Sequence, residues 1–488
     1  MTTVQTIGIG RMDPASRPDW VLPADVAGAP GAGRIQGKRI GVVGGGLAGL
    51  TSAFILARMG VHVDLFEAAD RFGGRVLTLR HGDPLPGDPS HTVSLPENQL
   101  VEAGATRIHP HMVTMEYLRL LDLPIAPLVT RNDDALVHVG EGGQARVLRQ
   151  RDWWQEVRRL AVRPDLAEAF PHLVADDVAD QAPHRTRRTL QALSDVGDPT
   201  ALPSVGRLAG WQASFLIDGA PARALLADLS ALKSTPLFRI VGGSDLLVSR
   251  LADEVPTAHR HLLHRLTSVA TRGGEVRLGF ATQEGERHES YDHVILALPP
   301  HQLMDVMEDV PDDLRAALGV PEPRPAVKVF LTYASRWWER DLGIFGGTSY
   351  PAPPVDRLWY PSASWQEPGG TLTAYCLKDN ARELDAMDTE LRHRVVVDRI
   401  AALHPGVPAA ADPVTVQSVS WSQVPYIHGA WVNWPGYDHW AFNRLRQGLG
   451  RIQFAGDWLN PLTAWMAGAF SSAGQALLRV IENASERK

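Results

Sequence analysis

Cysteine is almost absent: among 488 residues only Cys376 carries a thiol. A single thiol excludes an intramolecular disulfide framework and any metal centre built on several cysteines. Long apolar runs are missing as well, and nothing approaches the roughly 20 apolar residues a membrane helix needs. There is no block of lysine or arginine, and the formal net charge is −7. Neither nucleic acid nor a membrane surface is therefore an expected partner. No repeat or low-complexity tract is evident, and no Cys/His/Asp/Glu cluster has ligand spacing, so no metal is expected. Residues 1–37 are polar and rich in Pro, Gly and Ala. Without the apolar core of a signal peptide they read as an arm on the surface, and a cytoplasmic protein is expected.

What is present is an ordinary globular composition, 44% hydrophobic and 21% charged, in a chain too long for one core. Two or three subdomains are expected. The chain is organised around Lys38-Arg-Ile-Gly-Val-Val-Gly-Gly-Gly-Leu-Ala-Gly49. Arg39 to Val43 has the short apolar look of a buried parallel strand, and Leu47 to Met59 forms a helix ended by Gly60. Gly44, Gly46 and Gly49 fall at GxGxxG spacing, with Leu47 and Ala48 opening the helix. The first glycine makes the turn, the second admits a pyrophosphate, and the third lets helix pack on strand. A second strand, Val61 to Phe66, ends at Glu67, 23 residues beyond Gly44. That is where a carboxylate accepts hydrogen bonds from a ribose. A dinucleotide binds here.

Glu67-Ala-Ala-Asp-Arg-Phe-Gly-Gly-Arg75 resembles the extension that follows the fingerprint in flavoproteins of the amine oxidase family. With Phe454 to Asp457 and Gly468 to Gly474, the whole of 38–488 is similar to that family, most weakly over 126–235. The resemblance implies FAD rather than NAD. It also implies an α/β architecture: a Rossmann-like FAD-binding domain of the glutathione-reductase/amine-oxidase type, a mixed-sheet α+β substrate domain and a helical insertion. The expected division is an arm at 1–37 and an FAD domain from 38–75, 236–320 and 438–488. A substrate domain from 76–125 and 321–437 and the insertion at 126–235 complete it. Expected flavin contacts are Ala68, Gly74, Arg75, Gly104, Ala105, Thr106, Arg107, Val269, Gly456, Asp457, Trp465 and Met466, beside the fingerprint residues and Glu67.

Within that resemblance four places choose the reaction. Arg107, three residues after Gly104, matches the arginine of L-amino-acid oxidases, and a guanidinium fork suits an α-carboxylate. Tyr375 resembles the tyrosine that shares this carboxylate. Lys328, alone among apolar residues in Val-Lys-Val-Phe-Leu-Thr, resembles the lysine holding a water at flavin N5. Trp431 and Trp465 fall where the family places aromatic walls, with Ala464 lining the substrate. Ala430 stands where covalently flavinylated relatives carry a cysteine, so FAD is expected to be non-covalent. His109 and His111 lie beside Arg107, and His109 reads as a hydrogen-bonded loop histidine, with a pocket base as the alternative.

The expectation is an FAD-dependent L-amino-acid oxidase acting on a small-molecule amino acid substrate with O2. Amino-acid 2-monooxygenase behaviour, an amine or polyamine oxidase without carboxylate recognition, and a flavin-binding protein that is not an oxidase stay open. So does a homodimer.

Overall fold

The computed structural model describes residues 20–140, 142, 145–161, 220, 221, 224, 225 and 236–484. Most of the insertion expected at 126–235, with Trp211, and the first half of the arm lie outside these residues. The chain divides into two compact units, one from Met1–Phe72, Arg250–Val320 and Asp438–Lys488, the other from Gly73–Ser249 and Pro321–Tyr437.

The first unit is built on a five-stranded parallel sheet. Its strands lie in the order Arg260–His261, His62–Phe66, Arg39–Val43, His293–Leu296, Ile452–Phe454. Four of the five residues of Arg39–Val43 are buried, as a strand covered on both faces requires. Helix Leu47–Arg58 buries every residue from Leu47 to Leu56. A three-stranded antiparallel sheet follows, Arg265–Arg272, Glu275–Thr282 and Gly285–Tyr291, and helix Met466–Asn483 closes the unit. Residues 20–37 do not form a loose arm. They make a short helix, Pro23–Ala27, and a 3-10 turn, Ala32–Ile35, and bury Val26 and Ile35 completely. A Cβ on Gly474 would stand 2.5 Å from the Val21 side chain, so glycine lets this segment seat on the closing helix.

The second unit is organised on a five-stranded antiparallel sheet. Its order is Gly347–Ser349, Arg357–Tyr360, Gly370–Leu377, Ala326–Tyr333, Thr415–Ser420. The strand Ala326–Tyr333 is buried at every position. Val327, Val329 and Leu331 turn to one side, packing with Ala381 and Leu384 of helix Lys378–Asp385 and Val396 and Ile400 of helix Thr389–Leu403. Ala326 and Phe330 turn to the other, with Leu79, Val101 and Trp421. Period-two alternation thus gives the sheet a core face and a second face carrying Lys328.

Helices Lys378–Asp385 and Thr389–Leu403 are separate, because the Asp388 carboxylate caps a fresh start by accepting the Leu391 N–H at 2.8 Å. Strand Trp431–Asn433 pairs with Glu322–Arg324. Residues 236–249, expected in the FAD domain, group with the second unit. There Leu237–Ile240 pairs with Ile125–Leu128, and the Arg80 guanidinium grips Asp245 at 2.7 and 3.0 Å.

Candidate functional site

In the first unit the fingerprint glycines behave differently from one another. Gly44 has φ +101°, and a Cβ there would lie 2.5 Å from the Ala297 carbonyl oxygen. At Gly49 it would lie 1.8 Å from the Gly44 carbonyl oxygen. Both are required by the protein's own packing. Gly46 is not: its Cβ would meet nothing within 4 Å, and its φ is −73°. That open space, at the N-terminus of helix Leu47–Arg58, is the cradle a diphosphate needs.

The Glu67 carboxylate is aimed at the same turn. It accepts the Gly45 N–H at 2.6 Å and the Ala69 N–H at 2.8 Å. Burial raises its pKa, opposed by these N–H groups, that of Ala68 and the charge of Arg71. Elsewhere in the unit, Val269 is buried and pairs with Leu278. Ahead of the closing helix the Asp457 carboxylate accepts the Ala464 N–H at 3.0 Å, fixing Ala464 at φ +67°. Trp465 then caps the helix and Met466 opens it. The Gly456 N–H bonds to Ser472 Oγ at 3.1 Å. Open fingerprint and aimed carboxylate fit an adenine dinucleotide.

In the second unit Lys328 is the centre. It is 3% exposed, and its Nζ donates to the carbonyls of Glu102 and Gly104, each at 2.7 Å. The carbonyl between them, of Ala103, accepts the Trp421 indole N–H at 3.0 Å. Three successive carbonyls are therefore pinned. Gly104 is obligatory here, since a Cβ would stand 2.0 Å from the Arg75 carbonyl oxygen. Gly104 and Ala105 also donate their N–H groups to the Leu77 and Arg75 carbonyls, at 3.1 and 3.2 Å. This anchored segment delivers Thr106 and Arg107.

Strand register places the partners. Lys328 stands opposite Tyr375, and Tyr375 opposite Arg357, so all three share a face with Trp359, two residues on. Trp359 is the hub. The Arg107 guanidinium lies 5.3 Å from its ring centre and Lys328 Nζ 5.1 Å, with the Tyr375 ring centre at 4.9 Å. Lys328 Nζ also lies 5.4 Å from the Tyr375 ring. Burial lowers the Lys328 amine to about 7, the Glu102 charge opposing and the Arg107 charge assisting. Burial raises the Tyr375 phenol, with Arg107 opposing.

Arg107 and Trp359 line a cavity of about 70 Å³, walled also by Leu128, Leu225, Leu237, Tyr350 and Tyr360. Its lining includes Gln150, whose amide donates to the Thr348 carbonyl at 2.6 Å. Lys328 and Tyr375 stand behind Trp359 rather than on the cavity wall. Trp431, on its short strand, packs with Tyr375 on the same core. The Arg75 guanidinium donates to the Ala430 carbonyl at 2.9 Å, tying the Gly73-Gly74 turn to that strand. Gly73 and Gly74 have φ of +109° and +55°. His109 is buried and its Nδ1 accepts the His111 N–H at 3.2 Å, a loop contact.

Trp359 and Trp421 escape a reading of the sequence. Arg-Leu-Trp-Tyr360 looks like any short buried strand, and Trp421 lies in a tryptophan-rich stretch without a pattern. No motif marks either, and only the fold brings them to Lys328 and its carbonyls.

The sequence profile described as flavin containing amine oxidoreductase matches residues 47–477. A flavin-dependent L-tryptophan oxidase of Lentzea aerocolonigenes is 29% identical over 91% of this chain and 98% of its own. An L-amino-acid oxidase of Notechis scutatus scutatus is 25% identical, over 92% and 88%. Among solved structures, a putrescine oxidase matches with TM-score 0.64 at 18% identity, over 91% of this chain and 99% of that one. A cyclohexylamine oxidase of Brevibacterium oxydans IH-35A matches with TM-score 0.64 at 19% identity, over the same shares.

Proposed function

The chain belongs to the flavin-containing amine oxidoreductase family, whose cofactor is FAD, and from that premise we propose that it is an L-amino-acid oxidase. The observation that carries this reading is Arg107 against Trp359 on the wall of the cavity. A guanidinium on the wall of an apolar cavity favours an anion, and its planar fork fits a carboxylate bidentately. Support comes also from the tryptophan oxidase and the L-amino-acid oxidase, which align over nine-tenths of the chain.

FAD, when bound, would supply a hydride acceptor for the substrate Cα and an electron donor to O2, the chemistry that gives hydrogen peroxide. The residues of the chain prepare that exchange. Arg107 holds the carboxylate, Trp359 packs against its guanidinium, and Tyr375 supports Trp359 rather than touching the carboxylate. Trp431 is the proposed aromatic wall that the second unit supplies. Lys328, both carbonyls satisfied by two N–H groups, has its remaining valence for one water. Water then converts the released imino acid to a 2-oxo acid and ammonia. Ala430 leaves no cysteine for a covalent flavin link, so the flavin is held without one.

The test is peroxide release from the purified holoenzyme with the twenty L-amino acids, simple amines and polyamines. Turnover of an L-amino acid but not of its decarboxylated amine is expected. Turnover of amines alone would make the protein an amine oxidase.

A further inference from the structure

One cluster of titratable side chains in the first unit takes no part in the proposed reaction. Asp64, on strand His62–Phe66, is 6% exposed and surrounded by three imidazoles. Its Oδ1 lies 2.7 Å from His259 Nδ1 and 3.6 Å from His261 Nε2, and its Oδ2 lies 3.3 Å from His62 Nε2. The donor atoms of His62, Asp64 and His259 all fall within 4.8 Å of one another. Ligand atoms about 2.0–2.1 Å from a tetrahedral ion stand about 3.4 Å apart, so the cluster has the right size.

We propose that His62, Asp64 and His259 bind a divalent transition cation of the zinc or nickel class, with water completing its coordination. Two imidazoles with one carboxylate select such ions over magnesium or calcium, which take oxygen ligands. The ion replaces the protons that the imidazoles share with the carboxylate. Access is open, because the His62 side chain is 42% and the His259 side chain 31% exposed. The carboxylate is held from behind: the Tyr291 hydroxyl donates to Oδ2 at 2.9 Å, the kind of outer partner that orients metal ligands. Arg39 also approaches Oδ2, at 3.5 Å, but it is half exposed and is shared with Glu289 at 3.4 Å. An arriving cation leaves it to Glu289.

The place of the cluster gives the ion a purpose. His62 and Asp64 belong to one strand, whereas His261 belongs to the sheet-edge strand Arg260–His261 and His259 ends the 3-10 turn Thr257–His259 that leads into it. That edge holds only two register pairs, Arg260 with Leu65 and His261 with Phe66. An ion clamps it to its neighbour. The same segment backs Glu67: the Glu67 N–H donates to the His261 carbonyl and the His264 N–H to the Glu67 carbonyl, both at 2.8 Å. Fixing the edge therefore fixes the carboxylate aimed at the dinucleotide turn. Metal loading should slow flavin loss. The sequence conceals the site because His259 comes 195 residues after Asp64.

Tag-free holoenzyme is stripped by dialysis against chelator and equilibrated with zinc or nickel, and retained metal is measured by mass spectrometry. One ion per chain is expected, with a rise in Tm and slower flavin release on heating. Magnesium should give neither. His62→Gln and His259→Gln, at exposed and half-exposed positions, should keep the fold and the oxidase turnover measured without metal. Each should weaken retention by at least about a hundredfold, the upper end for losing an outer-shell partner. No retained ion, or equal retention by wild type and the double variant, would overturn the site and leave Asp64 a hydrogen-bond hub.

Discussion

Lys328 shows how burial and hydrogen bonding set a reactive group. A neutral amine has two N–H groups and a lone pair, and here two carbonyls take the two N–H groups. The amine near pH 7 thus changes from donor to acceptor toward anything in front of it, as burial lowers its pKa to about 7. The pH profile of flavin reoxidation should bend near that value, and Lys328→Met should remove the bend. Stability should follow the same titration. Between about 7 and the ordinary 10.5 the unfolded chain keeps a proton that the folded one has lost, so folding strengthens as pH rises. Across that window the Tm of wild type should gain on that of Lys328→Met. A constant difference would mean that Lys328 does not titrate there. Lys328 was legible in the sequence because a charge within Val-Lys-Val-Phe-Leu-Thr needs a reason. Trp359 was not legible. Its significance is its distance to Arg107, Lys328 and Tyr375, which no local pattern encodes.

At the scale of elements, the strand–turn–helix at residues 39–58 was readable because each glycine has a local cause. The causes separate by experiment. Gly46→Ala places a methyl in open space, so the apoprotein should keep its Tm while FAD is lost on gel filtration. Gly49→Ala drives a methyl to 1.8 Å from a carbonyl oxygen, and should lower stability by about 1–3 kcal/mol as overpacking does. Equal flavin retention by Gly46→Ala and wild type would show that no diphosphate occupies the cradle. Other elements were harder to read. Asp388 capping a new helix and Leu237–Ile240 pairing with Ile125–Leu128 both depend on context beyond hydrophobic periodicity. The pairing joins segments far apart in the chain, and neither strand carries a signature of its partner.

At the scale of the whole molecule, the chemistry is divided between two units that each draw on distant parts of the chain. One carries the dinucleotide turn, and the other carries Arg107, Tyr375 and Lys328. Cofactor and family were readable because the glycine-rich motifs are local and dense. The side chain accepted was not, because the cavity wall is assembled from short strands near 128, 237, 350 and 359. The apolar wall of Leu128, Leu225, Leu237 and Trp359 suits a large apolar side chain. The central claim is carboxylate recognition by Arg107. The direct measurement is kcat/KM for the best L-amino acid and for its carboxamide, in wild type and in Arg107→Ala. Wild type should prefer the acid, and the variant should lose about 10–100-fold on the acid alone, as for a charge-assisted hydrogen bond of 1.5–3 kcal/mol. An unchanged preference in Arg107→Ala would contradict the assignment.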